Sequence, residues 1–302
     1  DYGARTVRLY ESDGPFVRDL GGRGEGPGEF QSVSAVWSSG DTVSVFDGRS
    51  FRLTRFGIDG SLLETRQIVP GNERPNTFLG EFSNGDLALA WIRNLFQQGP
   101  SPDTMAFGRF DHEGHLTKEL GIGLGFRRGE NGTLPFSPRW NAAVHMDSVY
   151  FADGMDPGIS VWSPTGQLAG TVPLPSPGND PEEAWNAVRA ELLARGNDER
   201  LRRFEEAPKP TTLPKIAKMF IDPEGRIWVK RYDPISDSDA LSGFLSWKGR
   251  EWWVLDRSGG HLATVSMPEE FMPLHVRGDR ILGFFRDDLG VERVQVYRIL
   301  EG

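Results

Sequence analysis

Cysteine is absent from the 302 residues, which excludes disulfides, cysteine-based zinc sites and thiol nucleophiles. Lysine is scarce, with 6 against 28 arginines, a bias that fits a GC-rich genome. Positive charge is not in excess. Lys and Arg number 34, Asp and Glu 43, and the net charge is −9. The chain therefore lacks the basic footprint of a nucleic-acid binder. No apolar run approaches the ~18 residues of a membrane-spanning helix, so no transmembrane segment is expected. Charged residues make up 25% and hydrophobic residues 37%, the balance of a folded domain with a sizeable core. Glycine (37) and proline (21) are abundant and predict many turns. The sequence begins at Asp1 without a legible leader. Absence of cysteine is compatible with an extracytoplasmic location, whether periplasmic, secreted or lipid-anchored, and that location is expected. A monomer is expected as well.

Two short units recur. The first is an aromatic or apolar residue followed four positions later by glycine, then a new strand. It stands at Tyr10–Gly14, Phe56–Gly60, Phe110–Gly114, Trp162–Gly166 and Leu255–Gly259. Each reads as a hairpin turn whose glycine can take φ > 0. The second is a turn followed by a short strand, at 41–47, 85–91, 147–153, 225–231 and 279–285. The two alternate and describe four-stranded antiparallel sheets of about 40–50 residues, the period of propeller blades. Strands are predicted at 33–38, 42–47, 51–57 and 62–69; at 77–83, 86–92, 105–110 and 115–120; at 139–146, 148–153, 158–163 and 167–174; and at 215–222, 226–232, 251–256 and 261–267. The start supplies only a hairpin, about 5–20, and the finish three strands over 271–299. The predicted fold is all-β, a single six-bladed β-propeller domain over 1–302. Its N-terminal blade is incomplete, the first two strands of that blade being expected before Asp1.

The run Leu20-Gly-Gly-Arg-Gly-Glu-Gly-Pro-Gly-Glu-Phe30, followed by a strand, the Asp41–Asp47 segment and Ile58-Asp-Gly60, resembles an NHL-type repeat. The chain is similar to the bacterial six-bladed propellers grouped with NHL and TolB-like proteins. The likeness is best over 6–60, with weaker copies to about 300. This copy lacks the proline that usually follows the phenylalanine. The resemblance implies the fold strongly and function weakly, since related propellers include lactonases, an amidating lyase, sensor domains and RNA binders.

Residues 176–214 break the repeat. Asp180 suits an N-cap, Pro181 the first helical position, and Glu183 a capping box. Ala184, Trp185, Val188 and Leu192 form an apolar stripe that Gly196 ends. Asn197 begins a second helix carrying Leu201 and Phe204. A helical insertion between blades is predicted. Further inserts fall at about 93–104, 122–137 and 233–250.

No complete catalytic set is legible. The glycine-rich run 21–28 lacks the Gly-Lys-Ser/Thr end of a phosphate loop and reads as a turn between blades. No Gly-x-Ser-x-Gly elbow is present. His112 and His115 sit at a hairpin tip and read as exposed turn residues. His145 and His275 fall on first strands, which line a propeller's central channel. The resemblance to an amidating lyase suggests a metal there, but its third histidine is lacking. A lactonase-like site would hold a hard cation on carboxylate and amide oxygens, with Glu29, Asn76 and Asn141 as candidates beside the histidines. Asp233, Asp237 and Asp239 read as a solvated acidic loop. Arg139, Lys218 and Arg277, with His145 and His275, would give a positive mouth suited to an anionic ligand. Trp140 and Trp247 are placed to stack on a sugar, while Trp162, Trp228, Trp252 and Trp253 read as packing between blades.

The expected function is that of an extracytoplasmic binding or scaffold propeller without a cofactor. It would recognise a small molecule or a protein at the channel mouth through Arg139, Trp140, Asn141, His145, Lys218, His275 and Arg277. The alternative is a metal-dependent hydrolase or lyase, lactonase-like, using Ca²⁺ or Zn²⁺ on Glu29, Asn76, Asn141, His145 and His275. RNA binding is disfavoured by the −9 charge.

Overall fold

The computed structural model describes residues 3–11, 14–93, 103–125, 128–129, 132–175, 178–242, 251–287 and 289–300. Four four-stranded antiparallel sheets run in chain order. The first has strands Val33–Ser39, Thr42–Asp47, Arg52–Gly57 and Leu62–Gln67. The second has Thr77–Glu81, Leu87–Ile92, Thr104–Phe110 and Leu116–Leu124. The third has Asn141–His145, Ser148–Ala152, Gly158–Trp162 and Leu168–Pro173. The fourth has Ile216–Ile221, Ile227–Arg231, Glu251–Leu255 and His261–Ser266. A three-stranded sheet, Phe271–Arg277, Arg280–Arg286 and Glu292–Arg298, follows.

These sheets are the blades of a β-propeller, five among the described residues, where six were expected. The correction lies at the N-terminus. Strands Val7–Tyr10 and Phe16–Leu20 pair only with each other and form a separate two-stranded sheet. Counting that hairpin as half of a blade produced the sixth.

The turns follow a common chemistry. At Asp111 the carboxylate accepts from the backbone N–H of Glu113 (3.0 Å) and His115 (2.9 Å). Asp256 repeats this toward Ser258 (2.7 Å) and Gly260 (2.9 Å), and Asp287 toward Leu289 (3.1 Å) and Val291 (2.9 Å). The side chain thus replaces a ladder partner for the turn N–H groups. Gly114 shows why the glycine is needed. Its φ is +83°, and a Cβ there would lie 2.1 Å from the Gln67 carbonyl oxygen.

Burial is graded across each blade. The second strands Thr42–Asp47 and Leu87–Ile92 are buried on nearly every residue, whereas the outermost strands Leu168–Pro173 and His261–Ser266 are mostly exposed. A strand covered on both faces reads as a near-continuous apolar run, as Leu-Ala-Leu-Ala-Trp does at 87–91.

The chain divides into two compact units. In the first, Phe46, Leu53, Leu87, Leu89, Trp91 and Phe110 pack together between the first two blades. Leu20, Phe30, Val43, Val45 and Phe56 close the glycine-rich run onto the first blade. In the second unit, Tyr150, Ile159, Ile216, Ile227, Trp253 and Leu255 join the third and fourth blades. Trp228, Trp252, Phe271 and Val276 continue the packing to the last.

Two helices lie in the segment between the third and fourth blades. Helix α1 spans Pro181–Ala194, its N-terminus capped by the Asp180 carboxylate, which accepts from Glu182 and Glu183 N–H. Helix α2 spans Asp198–Glu206, capped by Asn197. Trp185, Val188, Leu192 and Phe204 bury against Phe136, Tyr232 and Leu241, with Trp185 and Phe204 stacked at 4.1 Å.

Candidate functional site

Asn141, at the start of the third blade's first strand, joins it to the middle of the fourth blade's first strand. This buried amide accepts from the Met219 backbone N–H (3.1 Å) and donates to the Arg139 carbonyl (3.1 Å). One side chain thereby pins the backbone of Arg139 beside the residue that follows Lys218. Both ends of the amide are engaged, which makes Asn141 a positioning residue here.

Lys218 alternates outward on its strand and is solvent-exposed. Among the described residues its ammonium makes no hydrogen bond or ion pair. The side chain keeps accessible surface, yet the walls around it exclude enough water to matter. Its pKa is pushed below the ordinary lysine value by that desolvation first, and by the positive charge of Arg139 second.

Behind Lys218 lies a buried polar cluster. Asp233 caps a one-turn helix, α3 (Pro234–Asp237), and a second turn, α4 (Asp239–Ser242), follows. These turns fold the acidic run inward. Asp237 accepts from Lys230 Nζ at 2.5 Å, with both side chains at most 3% exposed. It also accepts from the Asp233 backbone N–H at 2.9 Å. Asp239 Oδ1 accepts from Arg139 Nη2 at 3.0 Å. The solvated acidic loop read from the sequence is thus corrected for Asp237 and Asp239, because Asp237 meets the buried Lys230 and Asp239 the half-buried Arg139; Asp233 remains exposed.

Burial raises the Asp239 pKa to about 6, with Arg139 pulling it down and Asp237 pushing it up. Burial also raises the Asp237 carboxyl, and Lys230 opposes that shift. The Tyr232 hydroxyl is driven well above its ordinary value, first by burial and then by Asp237 and Asp239. Beside this cluster opens a cavity of about 630 Å³, lined by Asn179, Arg231, Tyr232, Asp233, Glu251 and Glu269. Arg231 faces Glu251 at 3.7 Å and lies over the Trp253 ring at 5.8 Å.

The remaining sequence candidates lie elsewhere. His145 is four residues beyond Asn141, about 13 Å at strand rise, next to its hairpin turn. Its ring packs on Gly225, where a Cβ would lie 2.8 Å from Nε2. Burial, then the charge of Arg257, lowers its pKa, opposed by Asp222. His275 and Arg277 are exposed on strand Phe271–Arg277. Trp140 stacks on Phe151 at 6.3 Å and 9°. Glu29 accepts from the Gly26 N–H at 2.8 Å within the glycine-rich turn. Asn76 is exposed and accepts from the Thr77 hydroxyl at 3.2 Å. Trp247 lies outside the described residues.

Among the described residues, one group of three His, Cys, Asp or Glu side chains has its donor atoms within 4.8 Å, namely Asp111, Glu113 and His115 at an exposed hairpin tip. Glu29, His145 and His275 do not belong to it. The structure therefore brings together Arg139, Asn141 and Lys218. It adds Lys230, Tyr232, Asp237 and Asp239, which sequence reading had not assembled. The available signal was Lys230, a lysine ending the apolar run Ile227-Trp-Val, with an acid seven residues on.

The fold defines an all-β propeller protein. No protein-family model matches the chain, and neither does any characterised protein compared with it by sequence. Among solved structures, a member of the DUF4221 family from Bacteroides vulgatus is similar at 9% identity, with a TM-score of 0.55, covering 97% of this chain and 86% of that one. Virginiamycin B lyase from Staphylococcus aureus is similar at 12% identity, with a TM-score of 0.43, covering 99% and 78%. A gluconolactonase from Xanthomonas campestris is similar at 12% identity, with a TM-score of 0.43, covering 94% and 77%. At these identities the likeness concerns the fold alone. Among the described residues, no helix is long and apolar enough to cross a membrane.

Proposed function

We propose that this chain is a binding propeller that holds an anionic small molecule, a carboxylate or phosphate, on Lys218 and Arg139. The reading rests on one observation. Lys218 stands at an exposed position of its strand, pairs with nothing among the described residues and feels the positive charge of Arg139. Two like charges held together and partly desolvated favour an anion between them. Asn141 ties the Arg139 backbone to that of Met219, and Asp239 holds the Arg139 guanidinium. The protein works without a cofactor in this reading, as an extracytoplasmic monomer.

Titration with citrate and with inorganic phosphate tests it. Either anion is expected to raise the melting temperature. Lys218→Met is expected to weaken binding about tenfold or more, the loss of one charge-assisted contact. Unchanged binding in that variant would sink the site. The metal-dependent hydrolase or lyase reading has its own measurement, the metal content of purified protein. One tightly held Ca²⁺ or Zn²⁺ per chain would replace the binding reading with it.

A further inference from the structure

We propose that Met146 is a site of oxidation by peroxides, and that its sulfoxide oxygen, once formed, binds the Arg257 guanidinium and ties the third blade to the fourth. The proposal goes beyond the anion site and does not depend on it.

Three observations carry it. The first is exposure. Met146 is 73% exposed, whereas Met105, Met219, Met267 and Met272 are each at most 7% exposed. The second is the backbone. Met146 and Asp147 make the two-residue turn between strands Asn141–His145 and Ser148–Ala152, with φ of 44° and 59°. Turns of this hand favour Asn-Gly, because a side chain crowds the backbone at positive φ. Here a strained hairpin tip presents a thioether to solvent instead. The third is the partner. Arg257, in the turn between the last two strands of the fourth blade, donates from Nη1 to the Met146 sulfur at 3.2 Å.

That pair is poorly matched as it stands. A guanidinium carries five N–H donors, and a thioether sulfur is a weak acceptor. Among the described residues Arg257 makes no ion pair that would compete for it. Oxidation makes the side chain polar and adds an oxygen to the atom that Arg257 already meets. A hydrogen bond from a charged donor to that oxygen is stronger than one to sulfur. Arg257 is exposed, so its side chain has room to shift by the length of the new bond.

The chemistry balances with a peroxide as the oxidant. A sulfur lone pair attacks one oxygen of hydrogen peroxide, and an S–O bond forms as the O–O bond breaks. The proton on the transferred oxygen passes to the departing hydroxide. Thioether plus peroxide becomes sulfoxide plus water, the sulfur losing the two electrons that the peroxide gains.

The test treats the intact, folded protein with dilute hydrogen peroxide, follows each methionine by peptide mass mapping, and then measures melting. Sulfoxide is expected at Met146 about tenfold faster or more than at the four buried methionines. With Met146 alone oxidised, the melting temperature should rise by about 1–2 °C, the effect of one hydrogen bond gained in a chain of this size. Met146→Gln, whose amide carbonyl offers a similar acceptor, should show that rise without peroxide. Arg257→Ala should abolish the rise and leave the oxidation of Met146 in place. Oxidation of Met146 no faster than that of the buried methionines would overturn the site. A melting temperature that stays level or falls on selective oxidation, or that rises equally in Arg257→Ala, would overturn the tie between the blades. Mapping and melting of the parent protein need no variant, so a substitution that fails to fold does not blunt the result.

Discussion

At the scale of single residues, the sharpest expectations concern buried charge. Lys230 and Asp237 are each almost wholly buried and joined to one another. Removing one partner leaves the other buried without this ion pair. Asp237→Asn is expected to destabilise the protein by about 3–5 kcal/mol, while replacing both residues by leucine-sized side chains should restore much of the loss. Urea unfolding of the single and double variants checks this, and a single variant as stable as the parent would refute it. Asp239 behaves differently. Its folded pKa of about 6 lies above the ordinary carboxylate value of 3.8. The folded state therefore binds the proton more tightly than the unfolded chain. Stability contributed by that proton is present below pH 3.8 and is lost as pH rises through about 6. Relative to Asp239→Asn, the parent should lose on the order of 2–3 kcal/mol between pH 3.5 and pH 7, read as diverging unfolding midpoints. Gly114 gives a third expectation. At φ +83° and with the Gln67 carbonyl 2.1 Å from a would-be Cβ, Gly114→Ala should cost about 2 kcal/mol or more.

At the scale of elements, the helical insertion supports the site it overlies. Asp180 satisfies two backbone N–H groups of α1, so Asp180→Ala should lower stability by about 1 kcal/mol. Trp185 stacks on Phe204 and packs in the cluster that contains Tyr232, the residue shared by the polar cluster and the cavity wall. Trp185→Ala should cost about 3–5 kcal/mol and also weaken citrate binding, because Tyr232 loses its backing. Full stability with loosened binding would instead make the insertion a contact surface for the ligand. Strands and helices were largely legible in the sequence, since each depends on local pattern: Asp-x-x-Gly turns, a Pro181 first turn, and apolar stripes at helical spacing. The acidic run 233–239 was misjudged for the converse reason. Two of its charges, Asp237 and Asp239, pair with Lys230 and Arg139, and local composition cannot report a partner 100 residues away, as Arg139 is from Asp239.

At the scale of the whole molecule, the balance of charge sets solution behaviour. The net charge of −9 and a pI near 5.2 predict a solubility minimum close to pH 5.2, checked by light scattering from pH 4 to pH 8. The repeat and the all-β class followed from the sequence alone, because every blade rewrites the same turn and strand chemistry within 40–50 residues. The number of blades did not. It depends on which strands share hydrogen bonds, and the N-terminal hairpin, although patterned like half a blade, pairs only with itself. The site divides in the same way. Arg139, Asn141 and Lys218 could be named from the sequence as polar residues of inner strands. That Asn141 stitches two blades together, that His145 belongs to the opposite strand end, and that Asp237 and Asp239 turn inward were decided by tertiary structure. Those facts rest on contacts between residues distant in the chain, where burial sets which charges pair.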